Sequence, residues 1–398
     1  MRAQFAVLLA SRISAAGLQA VTGVLLARAV QPHEYGVLMG AMGGMFLWFV
    51  MCDLGLTTYI ARERAAGKQA VVASALHLNA RSSAWGGVAA AIFVGLVFWV
   101  TDPSLVAPLI VLAAALALEK NVDTSLSVPI ADQNKLVPTL SILGRRGVSA
   151  VVFVLLLWFH VDPFFAYSSS YLLGVFGAWI LARCDLRARG ALSSRRARIT
   201  PRQLVRRAWP FFVTNLSVQS RSLDVLLVGL VSSPTDAGLF AAASKLVSPI
   251  LLIPSTVTTL VLPYMVREGK SRHRVVAWKL CAAAAAMLVV CALLAFFSPW
   301  IVTFVLGGGY SQAAAIMAAL ILGLPFIALS SPLASVLQGI GEERFVARNS
   351  VVFAMLTLCA IAGGGLVLGG LGAAGGVGVA FLLKCVVLQA RIVRRPQS

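Results

Sequence analysis

The sequence predicts an all-α, polytopic membrane protein of about twelve transmembrane helices in two pseudo-symmetric six-helix lobes. Three observations carry this. Hydrophobic residues make up 59% of the 398-residue chain and charged residues 12%, with a mean hydropathy of +0.90, outside the range of soluble domains. Most of the 33 Lys and Arg fall in alternate gaps between long apolar runs. A short turn motif also recurs once in each half of the chain.

A crossing helix needs about 20 apolar residues, and the first such run spans 5–30. It resembles a signal peptide at Met1-Arg2, but it is too long, contains Arg12 and has no small-residue cleavage site, so it is expected to remain as the first helix. The second span, 36–59, is followed by a basic loop with Arg62, Arg64, Lys68 and Arg81. Spans 83–101 and 105–130 meet at Asp102. Lys135, Arg145 and Arg146 mark the next connection and the start of span 137–159, and Asp162 separates that span from 164–182. The segment 183–207 carries nine Arg against Asp185 and reads as a linker between lobes 1–182 and 208–398. Beyond signalling topology it would hold anionic lipid headgroups, at about 1 kcal/mol per basic residue.

The second lobe repeats the pattern with spans 208–231, 235–266, 275–298, 311–339, 345–368 and 371–392. Its basic gaps are Arg267 to Lys279, Arg344 with Arg348, and the Arg391, Arg394, Arg395 tail. The stretch 299–311 is apolar but too short to cross. By the positive-inside rule both termini are expected in the cytoplasm.

These features exclude several classes. The net charge of +19 is spread over seven membrane-flanking segments, which does not fit nucleic acid. The six Cys and four His form no disulfide or zinc spacing. No catalytic triad, phosphate loop or extramembrane carboxylate pair stands out, so neither an enzyme nor a cofactor is expected.

Pro32-His33-Glu34-Tyr35-Gly36 joins the first two spans, and Pro234-Thr235-Asp236-Ala237-Gly238 joins the seventh and eighth. Pro, an acid and Gly at fixed spacing suit a tight turn capping the next helix. With six spans per half, the halves share one orientation and the repeat axis lies along the membrane normal. Paired halves of this kind rock around a central site in many transporters.

An ionisable group inside a span costs about 2.5–3.5 kcal/mol on insertion scales, so it faces a cavity or a partner. Arg12, Asp53, Lys120, Asp123, Arg221, Asp224, Lys245 and Lys384 lie at such depths, with Glu119 beside Lys120. At 1.5 Å per residue, Arg12 and Asp53 both sit ~10 Å from the inner edge and are expected to pair. Arg221 and Lys245, ~20 Å and ~15 Å into their spans, approach the midplane and are candidate contacts for an anionic substrate, as is Arg12. Asp224 shares a helix face with Arg221 and is an alternative partner for it. Asp53, Asp224, Lys120 and Asp123 are candidates for coupling or structural ion pairs, and Glu119, Lys120 and Asp123 are expected to satisfy one another locally. Pro249, Pro254, Pro325 and Pro332 bend their spans, and Gly365 with Gly369 offers small-residue packing to the last two helices.

The residues now carry a resemblance. The basic first helix, the Pro32–Gly36 turn, Asp53-Leu54-Gly55-Leu56 with Tyr59 and Arg62, the Asp224 to Lys245 stretch ending Gly238-Leu239-Phe240-Ala241-Ala242-Ala243-Ser244-Lys245, and Leu337-Gln338-Gly339 resemble polysaccharide flippases of the multidrug/oligosaccharidyl-lipid/polysaccharide exporter superfamily. The resemblance implies two six-helix bundles forming a V around a cationic lumen. It further implies that a polyprenyl-diphosphate-linked oligosaccharide crosses from the cytoplasmic to the outer leaflet of a bacterial inner membrane, by alternating access, for surface polysaccharide such as lipopolysaccharide. Partners implied are membrane lipids and a polysaccharide polymerase or glycosyltransferase. Alternatives are a cation-coupled multidrug exporter or a lipid II flippase of the same superfamily, although the two extra helices of lipid II flippases have no room here. From other classes, a glycosyltransferase or polymerase would need a catalytic loop outside the membrane, and a scaffold would not need charges at midplane depth.

Overall fold

A computed structural model describes residues 2–134, 136–192, 199–251, 265 and 273–394, with the side chains of residues 2–13, 214, 217, 218, 220, 221 and 251 outside that description. Among the described residues the chain forms fourteen α-helices and short 3-10 turns, with no strand. Contacts divide it into two units: residues 1–29 with 41–222, and residues 30–40 with 223–398. The first of these units closes at Ser222, and the first turns of the second span join the other unit.

In the first unit, α1 (Arg2–Ala29) packs on α6 (Leu136–Trp158), and α2 (Pro32–Asp53) ends where the second span was expected to continue. Leu54 and Gly55 both take positive φ, 53° and 75°, and the chain restarts as α3 (Leu56–Ala65). α4 (Gln69–Thr101) and α5 (Val106–Ala131) are antiparallel neighbours, and α7 (Pro163–Ala188) packs on both α5 and α6. Asp162 caps α7 by accepting the Phe165 N–H at 2.8 Å, while Pro163 occupies the first helical position, where its missing N–H costs nothing. α8 (Pro201–Gln219) lies against α3. Leu56, Tyr59, Ile60, Leu186 and Leu204 form the core beneath this end.

In the second unit, α9 (Asp224–Val231) and α10 (Pro234–Val247) cover the seventh span's second half and the eighth's first. Pro254 lies outside the described residues. α11 (His273–Phe296), the nine-residue α12 (Ser298–Leu306) and α13 (Ala313–Gly339) follow. At ~14 Å, α12 is too short to cross. Pro325 and Pro332 both sit inside α13. The last element, α14 (Glu343–Arg394), holds 52 residues, far more than one crossing takes. It is two helices joined at Leu368 and Gly369, whose φ/ψ are non-helical. Gly369 has φ +59°, and a Cβ there would also lie 2.9 Å from the Asp236 carboxylate, so both backbone shape and space require glycine. The close packing of these two helices runs through Gly364 and Gly372 rather than the expected Gly365 and Gly369, since Gly365 faces Val231.

Among the described residues eight helices are long and apolar enough to cross a membrane, α14 supplying the last two expected spans. The first and seventh expected spans correspond to α1 and to α8 with α9, and the described start of the eighth to α10. The all-α polytopic fold expected from composition is thus the one observed.

The repeated turns meet each other. A Cβ built on Gly36 would lie 1.9 Å from the Pro234 carbonyl oxygen, and one on Gly238 would lie 1.7 Å from that of Pro32. The contact is reciprocal, each glycine facing the proline of the other copy. Only hydrogen at both positions permits the helix starts of α2 and α10 to approach this closely.

Candidate functional site

The polar centre of the first unit grows from one turn and a half of α5, Glu119-Lys120-Asn121-Val122-Asp123-Thr124. In a helix, residues four apart share a face, so three directions are served. Lys120 and Thr124 face Asp53, Glu119 and Asp123 face α6, and Asn121 faces α4.

Asp53, at the last turn of α2, is 1% exposed. Its Oδ1 accepts hydrogen bonds from Thr57 at 2.8 Å, Thr124 at 2.8 Å and Asn79 at 3.3 Å. Its Oδ2 has no hydrogen bond and faces Lys120 Nζ at 3.6 Å. The break at Leu54-Gly55 makes this possible, because it lets Thr57 on α3 turn back onto Asp53. Neutral donors thus hold one carboxylate oxygen, while the cation is attached loosely and remains 17% exposed.

On the next face, Glu119 accepts hydrogen bonds from Arg146 at 2.8 Å and from the Tyr171 hydroxyl at 2.5 Å. Arg145 donates to Asp123 at 2.8 Å and lies 3.3 Å from Glu119. The Arg146 guanidinium also covers the Tyr171 ring at 5.0 Å. Three acids and three bases balance, which removes the cost of leaving any one charge alone in the membrane. On the third face Asn121 donates to Asn79 Oδ1 at 3.2 Å.

A second constellation lies at the basic end of the unit. Arg64 binds both oxygens of Asp132 at 2.8 and 2.9 Å, Arg189 adds a third contact at 2.9 Å, and Arg189 in turn holds Asp185 at 2.7 Å. These pairs tie α3 to the ends of α5 and α7. The hydrogen bond from Arg64 keeps the Asp132 carboxyl below the usual range, against partial burial and with help from Arg189. Burial raises Glu63, but hydrogen bonds from Lys68 and Arg62 outweigh it and hold the group low.

Of the candidates read from sequence, Asp53 and Lys120 are brought together and Asp123 is paired with Arg145. Glu119, Lys120 and Asp123 do not satisfy one another locally; each takes its partner from another helix. The side chains of Arg12 and Arg221 lie outside the described residues. Asp224 is buried at the start of α9, Lys245 is half-buried in the last turn of α10, and Lys384 Nζ sits 5.5 Å over the Phe381 ring. Arg145, Arg146, Tyr171, Asn79 and Thr124 were missed from sequence. Depth held the signal for the arginines: Arg145 lies ~14 Å into α6 and Asp123 ~12 Å from the inner end of α5.

Solved structures share this fold. The inward-closed lipid II flippase MurJ is 14% identical, with 98% of this chain and 88% of that one covered, at a TM-score of 0.74. An inward-facing multidrug resistance MATE family transporter of the MOP superfamily is 13% identical over 94% of both chains, at a TM-score of 0.69. A MOP superfamily transporter from Pyrococcus furiosus with reverse polarity of its binding pocket is 14% identical over 98% of this chain and 95% of that one, at a TM-score of 0.63. No curated protein matches by sequence. The family model described as polysaccharide biosynthesis protein matches residues 1–268, two thirds of the chain and all of the polar centre, so this membrane protein belongs to the polysaccharide biosynthesis protein family.

Proposed function

We propose that the protein is a flippase that moves a polyprenyl-diphosphate-linked oligosaccharide from the cytoplasmic to the outer leaflet for surface polysaccharide synthesis, by alternating access and with both termini cytoplasmic. The observation that carries this reading is a family match over a chain that keeps Lys120, Arg145 and Arg146 at membrane depth. A diphosphate presents at least two negative charges, which Arg grips bidentately and Lys neutralises as a point charge. Lys120 is the base best suited to exchange Asp53 for phosphate, because its ion pair is the longest of the centre and Asp53 keeps its neutral donors when Lys120 leaves. Arg12, Arg221 and Lys245 are the further proposed substrate contacts, and Asp53 is the acid whose protonation would release Lys120. In this reading the chain performs no bond-making chemistry.

The test is reconstitution of the full chain in liposomes with a lipid-linked oligosaccharide and a leaflet-specific assay of sugar exposure. Protein-dependent appearance of sugar on the far leaflet is expected. No transfer, together with protein-dependent export of cationic drugs, would replace this reading with the multidrug exporter.

A further inference from the structure

A groove of about 420 Å³ runs along the first unit between α4, α5 and α7, apart from the ion pairs of the polar centre. Its long walls are small or apolar: Ala84, Val88 and Ala91 on α4, Ile110 and Ala114 on α5. Ala84, Val88, Ile110 and Ala114 are exposed, so the groove opens sideways. Ala80 to Ala91 on α4 and Ile110 to Asn121 on α5 each span ~16 Å, close to the ~15 Å depth of one leaflet's hydrocarbon.

The end nearer the basic termini is polar, and three of its polar atoms have no hydrogen-bond partner among the described residues. Ser83 is 3% exposed and Asn121 7%. Among the described residues, Ser83 Oγ, Asn121 Oδ1 and Arg183 Nε are buried without a hydrogen bond. Arg183 lies 5.4 Å over the Trp179 ring, which holds its guanidinium at the groove end. Asn121 is oriented from behind. Asn79 donates to Asp53, so its oxygen is left to accept from Asn121, whose own oxygen then serves the groove. A buried polar atom without a partner costs about 1–3 kcal/mol, which a ligand supplying the partner recovers.

We infer that this groove is a binding site for one anionic phospholipid of the leaflet at the basic end, of the class whose head group carries free hydroxyls, as phosphatidylglycerol does. The phosphate accepts from Arg183 and Ser83, a head-group hydroxyl donates to Asn121 Oδ1, and one acyl chain fills the apolar length to the bilayer middle. The occupant is argued from charge complementarity at one end and leaflet depth along the other. The inference does not depend on the flippase reading.

The test uses the full chain with Trp179 as its single tryptophan, in phosphatidylcholine vesicles containing brominated phosphatidylglycerol or brominated phosphatidylcholine. Trp179 should be half-quenched at a mole fraction about five-fold lower for the brominated phosphatidylglycerol, the selectivity one basic residue confers at a lipid surface. Arg183→Gln should abolish the preference, Arg183→Lys should keep part of it, and Ala114→Phe should weaken quenching by blocking the chain. Equal quenching by the two lipids would overturn the inference. So would reversal by soluble glycerol phosphate, which would make the site a phosphate pocket, or by a polyprenyl phosphate at far lower mole fraction, which would give the groove to a prenyl lipid. If the single-tryptophan variant does not fold, native mass spectrometry of otherwise unaltered protein reads the same point. Phosphatidylglycerol should stay bound through purification and be lost in Arg183→Gln; no difference between the two would refute the site.

Discussion

Asp53 shows how a single carboxylate is made tolerable inside a membrane. Three neutral donors on Oδ1 satisfy it without a cation, and Lys120 compensates its charge from 3.6 Å. The two roles separate by mutation. Asp53→Asn keeps an oxygen for the donors and should cost about 1–2 kcal/mol, whereas Asp53→Ala strands Thr57, Asn79, Thr124 and Lys120 and should cost about 3–5 kcal/mol. Thermal unfolding of the purified protein in detergent would measure both. A double-mutant cycle should find coupling of about 1 kcal/mol or more between Asp53 and Lys120, and less between Asp53 and Arg12. The Arg12–Asp53 pair expected from equal depth alone would be restored by the reverse order.

At the scale of elements, two devices hold helices together without apolar bulk. The first is the reciprocal approach of Gly36 and Gly238. Gly36→Ala or Gly238→Ala drives a methyl group to within 2 Å of a carbonyl oxygen, and each should reach or exceed ~3 kcal/mol, the upper end of the usual overpacking range. Gly144→Ala and Gly147→Ala in α6, where a Cβ meets nothing within 4 Å, are the controls. They should be neutral or stabilise by up to ~1 kcal/mol. Comparable yields of folded protein for all four would contradict the close crossing. The second device is the Arg64–Asp132–Arg189 clamp. Because the folded Asp132 titrates below its unfolded value of about 3.9, the clamp's contribution is complete above that pH and disappears as pH falls through the folded value. Asp132→Asn should therefore lower the unfolding temperature at pH 7, and the gap from wild type should close in acid. A gap that does not narrow as pH falls below the unfolded value would assign the loss to something other than ionisation.

At the scale of the whole molecule, the alternation of basic and acidic gaps makes a topology that labelling can read. Val161 and Ala188 bracket α7, ~40 Å apart along one helix. In a background with the six native cysteines removed, Val161→Cys and Ala188→Cys should react with impermeant reagents from opposite faces of the membrane, Ala188 from the cytoplasmic one. Labelling of both from one face would remove the span 164–182 and overturn the twelve-span reading.

What the sequence determined by itself follows from local chemistry. Apolar run length defines helices, Lys and Arg defer to water on one side, and Pro with Gly at fixed spacing marks the repeated turn, all without reference to distant residues. The all-helical architecture, the repeat and the membrane class were legible for that reason. Tertiary structure alone decided the partners of Asp53, Lys120 and Asp123. Helical spacing says that Lys120 and Thr124 share a face, but not that the face meets Asp53. Likewise, nothing local reveals that Leu54 and Gly55 break the second span and return Thr57 to Asp53. The unit boundary at Ser222 and the meeting of Gly36 with Gly238 belong to the same category. They arise from which helices pack together, and residues 202 positions apart in the chain carry no local trace of touching.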